Sequence, residues 1–190
     1  HCVTRRQRQM CIRDSPGTDT DEIVVGVSPG FGLKIFRTLA GHRLSAVLRA
    51  LKAGIERGGG AMRVVRFWHT ADTSFLGLSA ARLSGSGIGI GIQSKGTAII
   101  HQKDRLPHNN LELFSNAPVT ALEHHEQMGF NATVYAKRLL PNPIVVPTKG
   151  EALGARFHAR VALTYAIETS MIEDNASPEN LKLTFLEQSA

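Results

Sequence analysis

The hydrophobic pattern changes period several times along the chain, and each change marks a predicted element. EIVVGV, from Glu22 to Val27, is a short β-branched run, as expected of a strand buried in a parallel sheet. SPGFG follows as a turn, with Pro29 and Gly30 as punctuation. Between Arg43 and Arg57, Leu44, Val47, Leu48, Leu51 and Ile55 recur at helical spacing. Arg43, Arg49, Lys52 and Glu56 fall largely on the opposite face. Gly58, Gly59 and Gly60 stop this helix, since glycine accepts the left-handed position after a helix end. MRVVRFW, from Met62 to Trp68, reads as a second strand, completing a βαβ unit with a right-handed crossover.

Thr73 to Leu83 is expected to form a short helix or turn capped by Thr70 or Asp72. Gly87 to Ile92 and Thr97 to Gln102 are strand candidates flanking QSKG. A longer helix should begin near Pro118, a good first helical residue, and run to Arg138, with Gly129 kinking or dividing it. PNPIVVP is an extended connection limited by its prolines. Ala152 to Thr169 reads as more helical than extended, and Asn180 to Leu186 alternates as a last strand through Leu181, Leu183 and Phe185. There is no internal repeat. The expected fold is α/β, a Rossmann-like layered domain with a mainly parallel sheet flanked by helices, spanning residues 21–190.

Composition narrows the function classes. The hydrophobic content of 42% can fill a core, and no apolar run approaches the ~18 residues of a membrane span. The formal charge of +6 invites a nucleic-acid reading. However, Arg5, Arg6, Arg8 and Arg13, against Asp14, place half of that excess in the opening segment. The rest is mildly basic and has no basic stripe interleaved with aromatics, so neither a nucleic-acid nor a membrane partner is expected. Cys2 and Cys11 lie in the same opening segment, leaving no disulfide framework, zinc ribbon or cysteine nucleophile beyond it. That segment starts with His1, reads RRQRQMCIRDS and has no structural period, so residues 1–20 are expected to be a disordered or non-native tail. The missing secretory apolar region favours the cytosol.

The informative stretch is Arg82 to Gln102, RLSGSGIGIGIQSKGTAIIHQ. In Gly87-Ile88-Gly89-Ile90-Gly91-Ile92 a strand would carry three isoleucines on one face and bare backbone on the other. Each interior glycine costs about 0.5–1 kcal/mol relative to alanine, so three in alternation need a reason. Either a second layer of backbone packs closely there, or a large flat ligand lies against that face. Phosphate motifs are near misses. GIQSKGT has Lys before Gly where a P-loop needs Gly-Lys-Ser/Thr, and GSGIGIG carries Ile90 where a dinucleotide fingerprint needs its third glycine.

LSGSGIGIGIQSKGTAIIHQ, followed by NLELFSNAP (Asn110 to Pro118), resembles the medium subunit of coenzyme B12-dependent diol and glycerol dehydratases. EIVVGVSPGFG and NATVYAKR agree, and the resemblance runs from about Asp21 to Thr169. It implies a three-component enzyme, a dimer of heterotrimers, whose large subunit is a TIM barrel holding substrate and a metal ion. The small subunit completes the trimer. The medium subunit would cover the lower side of adenosylcobalamin, bound base-on and shared with the large subunit. The absence of a D-x-H-x-x-G pattern, through which other B12 proteins supply a histidine to cobalt, agrees with base-on binding.

By the same resemblance, Asp72 and Lys95 match positions that contact the polar periphery of the corrin. A carboxylate can accept from propionamide groups, and an ammonium can donate to amide oxygens or to the nucleotide phosphate. A helix cap for Asp72 and a solvated turn for Lys95 are the plainer roles. Ser84, Gly85, Ser86, Gln93, Ser94, Gly96, Ser115 and Asn116 are implied wall and nucleotide-loop contacts. There are departures: the family usually has an Arg-Pro pair near Gly154 and Ala155 and a serine at Val161, and the first helix here is basic rather than acidic.

His124-His125-Glu126 looks metal-like but is not H-E-x-x-H, and adjacent histidines diverge by about 100° on a helix. A solvated helix face is expected there. His69 and His101 are expected as strand-end polar residues, and Ser84 and Ser86 lack the frame of a nucleophile elbow. No catalytic or metal-ligating residue is expected. The reading is a noncatalytic subunit of a hydro-lyase that converts 1,2-diols or glycerol to aldehydes, with a reactivating factor as a further partner. Its location would be cytoplasmic or inside a bacterial microcompartment. The alternative is the chaperone-like small subunit of the dehydratase-reactivating factor, which shares the fold and should lack the Gly-Ile strand and cobalamin.

Overall fold

The computed structural model describes residues 16–147 and 153–185, with backbone alone for 153–156. The expectations for Cys2, Cys11 and the basic opening segment, and for Gly154, Ala155 and Leu186, lie outside the residues or side chains described. In chain order the elements are β1 (Glu22–Val27), α1 (Leu44–Arg57), β2 (Ala61–Arg66), α2 (Thr73–Leu83) and β3 (Ile88–Ile92). They continue with β4 (Ala98–Gln102), β5 (Glu112–Phe114), α3 (Leu122–Ala136), α4 (Leu153–Thr169) and β6 (Glu179–Leu181). Ahead of β1, the Gly17 N–H donates to Leu83 O at 2.7 Å.

One sheet runs in the order β5-β4-β3-β1-β2-β6. The fold is α/β, and its parallel part is the central β3-β1-β2 set. The three outer pairings, β3–β4, β4–β5 and β2–β6, are antiparallel. A tight turn joins β3 to β4, and a turn cannot return the chain in parallel as a helical crossover does. β2 lies on one side of β1 and β3 on the other, so the chain reverses its direction of travel across the sheet at β1. In open α/β sheets such a switch point opens a crevice beyond the carboxyl ends of the strands.

Helices cover both faces. On one, Leu44, Val47, Leu48, Leu51 and Ile55 of α1 and Met128 and Ala132 of α3 pack on Ile23, Val25, Val27, Ile88, Ile90 and Ile92. On the other, Leu76 and Ala80 of α2 pack on Val24, Val65 and Phe67. The glycines of β3 face α2. A Cβ on Gly89 would sit 2.3 Å from Ala81 N, and one on Gly91 would sit 2.3 Å from Gly77 N. Close backbone packing is therefore what the Gly-Ile alternation serves, and every residue of β3 is buried. The flat-ligand reading of this strand is overturned: helix α2 occupies the face a planar ligand would need.

Three further expectations change. Gly129 neither kinks nor divides α3; it lets α3 cross α1 closely, its added Cβ meeting Leu51 O at 2.3 Å. The helix starts at Leu122 rather than Pro118, because Val119 N–H and the Thr120 hydroxyl both donate back to Asn116 O and close a turn. The last strand is short, yet Leu183 and Phe185 still pack against the core beyond it. β5, only three residues long, carries no periodic signal of its own. Among the described residues no helix is long and apolar enough to cross a membrane.

Candidate functional site

The parallel strands bring one group of expected residues to a single edge. Asp72 follows β2 and caps α2, accepting from Ser74 N–H at 2.7 Å and Phe75 N–H at 3.3 Å. Thr70 supports that cap by accepting from Asp72 N–H at 3.0 Å. Gln93, Ser94, Lys95 and Gly96 form the β3–β4 turn, closed by Gly96 N–H to Gln93 O at 2.9 Å and Gln93 N–H to Thr97 O at 3.0 Å. Gly96 has φ of 105°, a conformation that residues with a Cβ avoid. Ser115 and Asn116 follow β5, whose end pairs with the start of β4 at this same edge.

Lys95, Ser115 and Asn116 line a cleft of about 270 Å³ together with Pro118, Phe157 and Val161. Its polar wall comes from the sheet edge and its apolar wall partly from α4. Val161, where the resembled family usually has serine, therefore lies in the cleft itself. Burial draws the half-buried Lys95 ammonium below the ordinary lysine range, while the Asp72 and Glu168 carboxylates act in the opposite sense. The Leu39 N–H donates to Lys95 O at 3.0 Å, tying the turn to the segment before α1. The Gln93 amide donates to Ala71 O. Its buried Oε1 and the buried Thr38 hydroxyl have no hydrogen-bond partner among the described residues.

Ser84, Gly85 and Ser86 are not part of this group. They lie before β3, at the amino edge of the parallel strands, where Ser84 and Gly85 fasten the start of β1 and Ser86 bonds to the start of β3. The Ser84 hydroxyl donates to Glu22 O, Gly85 N–H donates to Glu22 Oε2 at 3.0 Å, and Ser86 Oγ accepts from Ile88 N–H at 3.1 Å. Ser86 lines a larger recess there, about 470 Å³, together with Lys103, Arg105 and Arg138. That recess is larger than the cleft, but Lys95, under the influence of the Asp72 charge, and the unpartnered Gln93 oxygen mark the other edge.

The sequence reading missed Glu168. This α4 residue is 2% exposed, and its carboxylate accepts from the Ser28 hydroxyl at 2.6 Å, Ser94 N–H at 3.1 Å and Gly30 N–H at 3.0 Å. No local signal separates it from an exposed helical glutamate, since its donors come from remote loops. The histidines also differ from expectation. His125 is fully buried rather than solvated, because α3 turns it inward. Its Nδ1–H donates to Ala121 O at 2.9 Å. Burial first, then nearby His42 and His124, lower its pKa to about 4 against the Ala121 bond. His101 lies within β4 and is fully buried rather than a strand-end polar residue, with Nδ1 near Gln102 O and Nε2 near Leu106 O and Pro107 O. His69, beyond β2, keeps the polar position expected of it and lies 3.4 Å from the Ser79 hydroxyl. Among the described residues no group of three or more His, Cys, Asp or Glu side chains could hold a metal ion.

Two solved structures share the fold. A chain titled "Glycerol dehydratase reactivase" matches at a TM-score of 0.52 and 20% identity, covering 67% of this chain and 97% of that one. A second, titled "Structure of diol dehydratase-reactivating factor complexed with ADP and Mg2+", matches at a TM-score of 0.50 and 19% identity, covering 64% and 97%. At such identities the likeness is one of fold. The profile described as "Dehydratase medium subunit" matches residues 28–142, more than half of the chain and including β3, its turn and the Ser115–Asn116 segment, and the chain belongs to that family.

Proposed function

We propose that this chain is the cofactor-holding, noncatalytic medium subunit of an adenosylcobalamin-dependent diol or glycerol dehydratase. The observation that carries the reading is the family match over residues 28–142, within which Lys95, Ser115 and Asn116 meet at one cleft. The donor set fits one part of a cobalamin. Lys95, Ser115 and Asn116 can donate to amide or phosphate oxygens, and Asp72 can accept from amides. Phe157 and Val161 supply an apolar wall suited to a planar ring. The unpartnered Gln93 Oε1 adds a buried acceptor beside the turn. The cleft of about 270 Å³ is too small to enclose a corrinoid, so a partner must cover the rest.

When bound, adenosylcobalamin supplies radical chemistry through homolysis of its cobalt–carbon bond. The role of this chain is to bind and orient one side of the cofactor and to exclude water. Large and small subunits would complete the enzyme, in the cytosol or a microcompartment, with a reactivating factor as a further partner. The reactivating-factor small subunit remains the second reading, motivated by the shared fold; the family match favours the dehydratase subunit.

The test is co-expression with candidate large and small subunits, followed by copurification, cobalamin retention read by absorbance, and an aldehyde assay. A copurifying complex that retains cobalamin and makes aldehyde from a 1,2-diol is expected. Copurification with a reactivase large subunit instead, without cobalamin, would overturn the reading.

A further inference from the structure

Glu168 has an expensive position. A buried carboxylate loses its hydration, and an apolar residue would dock α4 without that cost. Both its oxygens are nevertheless engaged: Oε1 accepts from the Ser28 hydroxyl at 2.6 Å and Ser94 N–H at 3.1 Å, and Oε2 accepts from Gly30 N–H at 3.0 Å. Ser94 N–H also lies 3.2 Å from Ser28 Oγ, so the end of β1 and the β3–β4 turn share one network centred on this carboxylate. The next residue in that turn is Lys95, which faces the cleft and feels the charges of both Asp72 and Glu168.

We propose that Glu168 is a positioning residue for the cofactor: it locks the Ser94–Lys95 turn and so keeps the Lys95 ammonium directed toward amide or phosphate oxygens of the ligand. This rests on the cobalamin reading. Glu168 touches no ligand in this scheme and acts through Lys95. The network explains why α4, which otherwise projects a largely exposed face, is fastened at Glu168 to the edge where the cleft opens.

The experiment uses the assembled three-subunit complex with wild-type chain, Glu168→Ala, Glu168→Gln, Lys95→Ala and the Glu168→Ala/Lys95→Ala double variant. Cyanocobalamin and adenosylcobalamin are the probes, with affinity measured by spectral titration. Glu168→Ala should weaken binding by about tenfold or more, and the double variant should bind within roughly twofold of Lys95→Ala alone, since both losses pass through one ammonium. Glu168→Gln keeps the volume and one acceptor, so it guards against a folding defect. As pH is raised, its cofactor retention should fail earlier than that of wild type, because the Lys95 ammonium loses a neighbouring negative charge while Asp72 remains. Wild-type-like affinity and pH profile in Glu168→Gln, or losses that multiply in the double variant, would overturn the inference alone. A wild-type complex that binds neither cobalamin would sink the functional reading and this inference with it.

Discussion

The Ser28 hydroxyl donates to Glu168 Oε1 at 2.6 Å across 140 positions of sequence, joining the end of β1 to the end of α4. Both residues are buried, at 0% and 2% exposure. Removing the hydroxyl leaves a buried carboxylate with fewer donors. Ser28→Ala should therefore cost about 1.5–3 kcal/mol, the range for a hydrogen bond to a charged group. The check is the urea midpoint at unchanged slope; no shift would mean that the network contributes nothing to folding.

Asp72 has a structural role and a proposed ligand role, and one substitution separates them. Its carboxylate caps α2 through Ser74 N–H and Phe75 N–H. Asp72→Ala should lower stability by about 1 kcal/mol, whereas Asp72→Ser keeps a capping oxygen and should cost only a few tenths. Both should weaken cobalamin retention in the complex. Retention that tracks stability, lost in Asp72→Ala and intact in Asp72→Ser, would leave the residue as a cap alone.

The glycine face of β3 provides a third test. Gly91→Ala places a methyl group 2.3 Å from Gly77 N and 2.6 Å from Thr73 O. It should destabilise the isolated chain by about 1–3 kcal/mol through overpacking. Ile90→Val, on the other face, should cost about 0.5–1.5 kcal/mol. Thermal unfolding without cofactor decides the matter. A Gly91→Ala variant as stable as wild type would mean that α2 does not press on this strand.

His125 makes the fold sensitive to acid. Burial holds its pKa at about 4, below the ordinary value of 6.5, with His42 and His124 acting in the same direction. Its position in the first turn of α3, at the positive end of the helix dipole, also disfavours a charged ring. Above the unfolded value both states are neutral and no stability is lost. As pH falls from about 6.5 towards 4, the unfolded chain takes up a proton that the native chain refuses, and stability drops by about 3 kcal/mol. Urea midpoints across that range should show the loss, and His125→Gln should flatten it.

The elements that were legible share a property: their signal is local. Leu44 to Ile55 repeat at helical spacing because the helix buries one stripe, and Ile23 to Val27 carry no polar side chain because β1 is covered on both faces. The Gly-Ile alternation announced an unusual packing partner without identifying it. Its glycines fit a helix backbone as well as they would fit a flat ligand, and only the position of α2 separates the two. His125 escaped for a related reason. A histidine in a polar triplet reads as solvated until the packing of α3 against α1 turns it inward.

The site divides in the same way. The GSGIGIGIQSKG string carried the family resemblance, and the turn that presents Lys95 follows from Gly96 and the strands around it. Grouping was decided by direction. β1, β2 and β3 run parallel, so Asp72 and the Gln93–Gly96 turn share one edge, while Ser84, Gly85 and Ser86, only a few residues earlier, fall at the other. Glu168 belongs to tertiary structure entirely, since its donors, Ser28, Gly30 and Ser94, lie far from it in the chain. The sequence by itself determined the longer elements, the α/β class and the turn residues, because these depend on periods of two and 3.6 and on local backbone preference. The tertiary structure alone decided what covers the glycines, which candidates meet at the cleft and which carboxylate braces them, because each depends on contacts between distant segments.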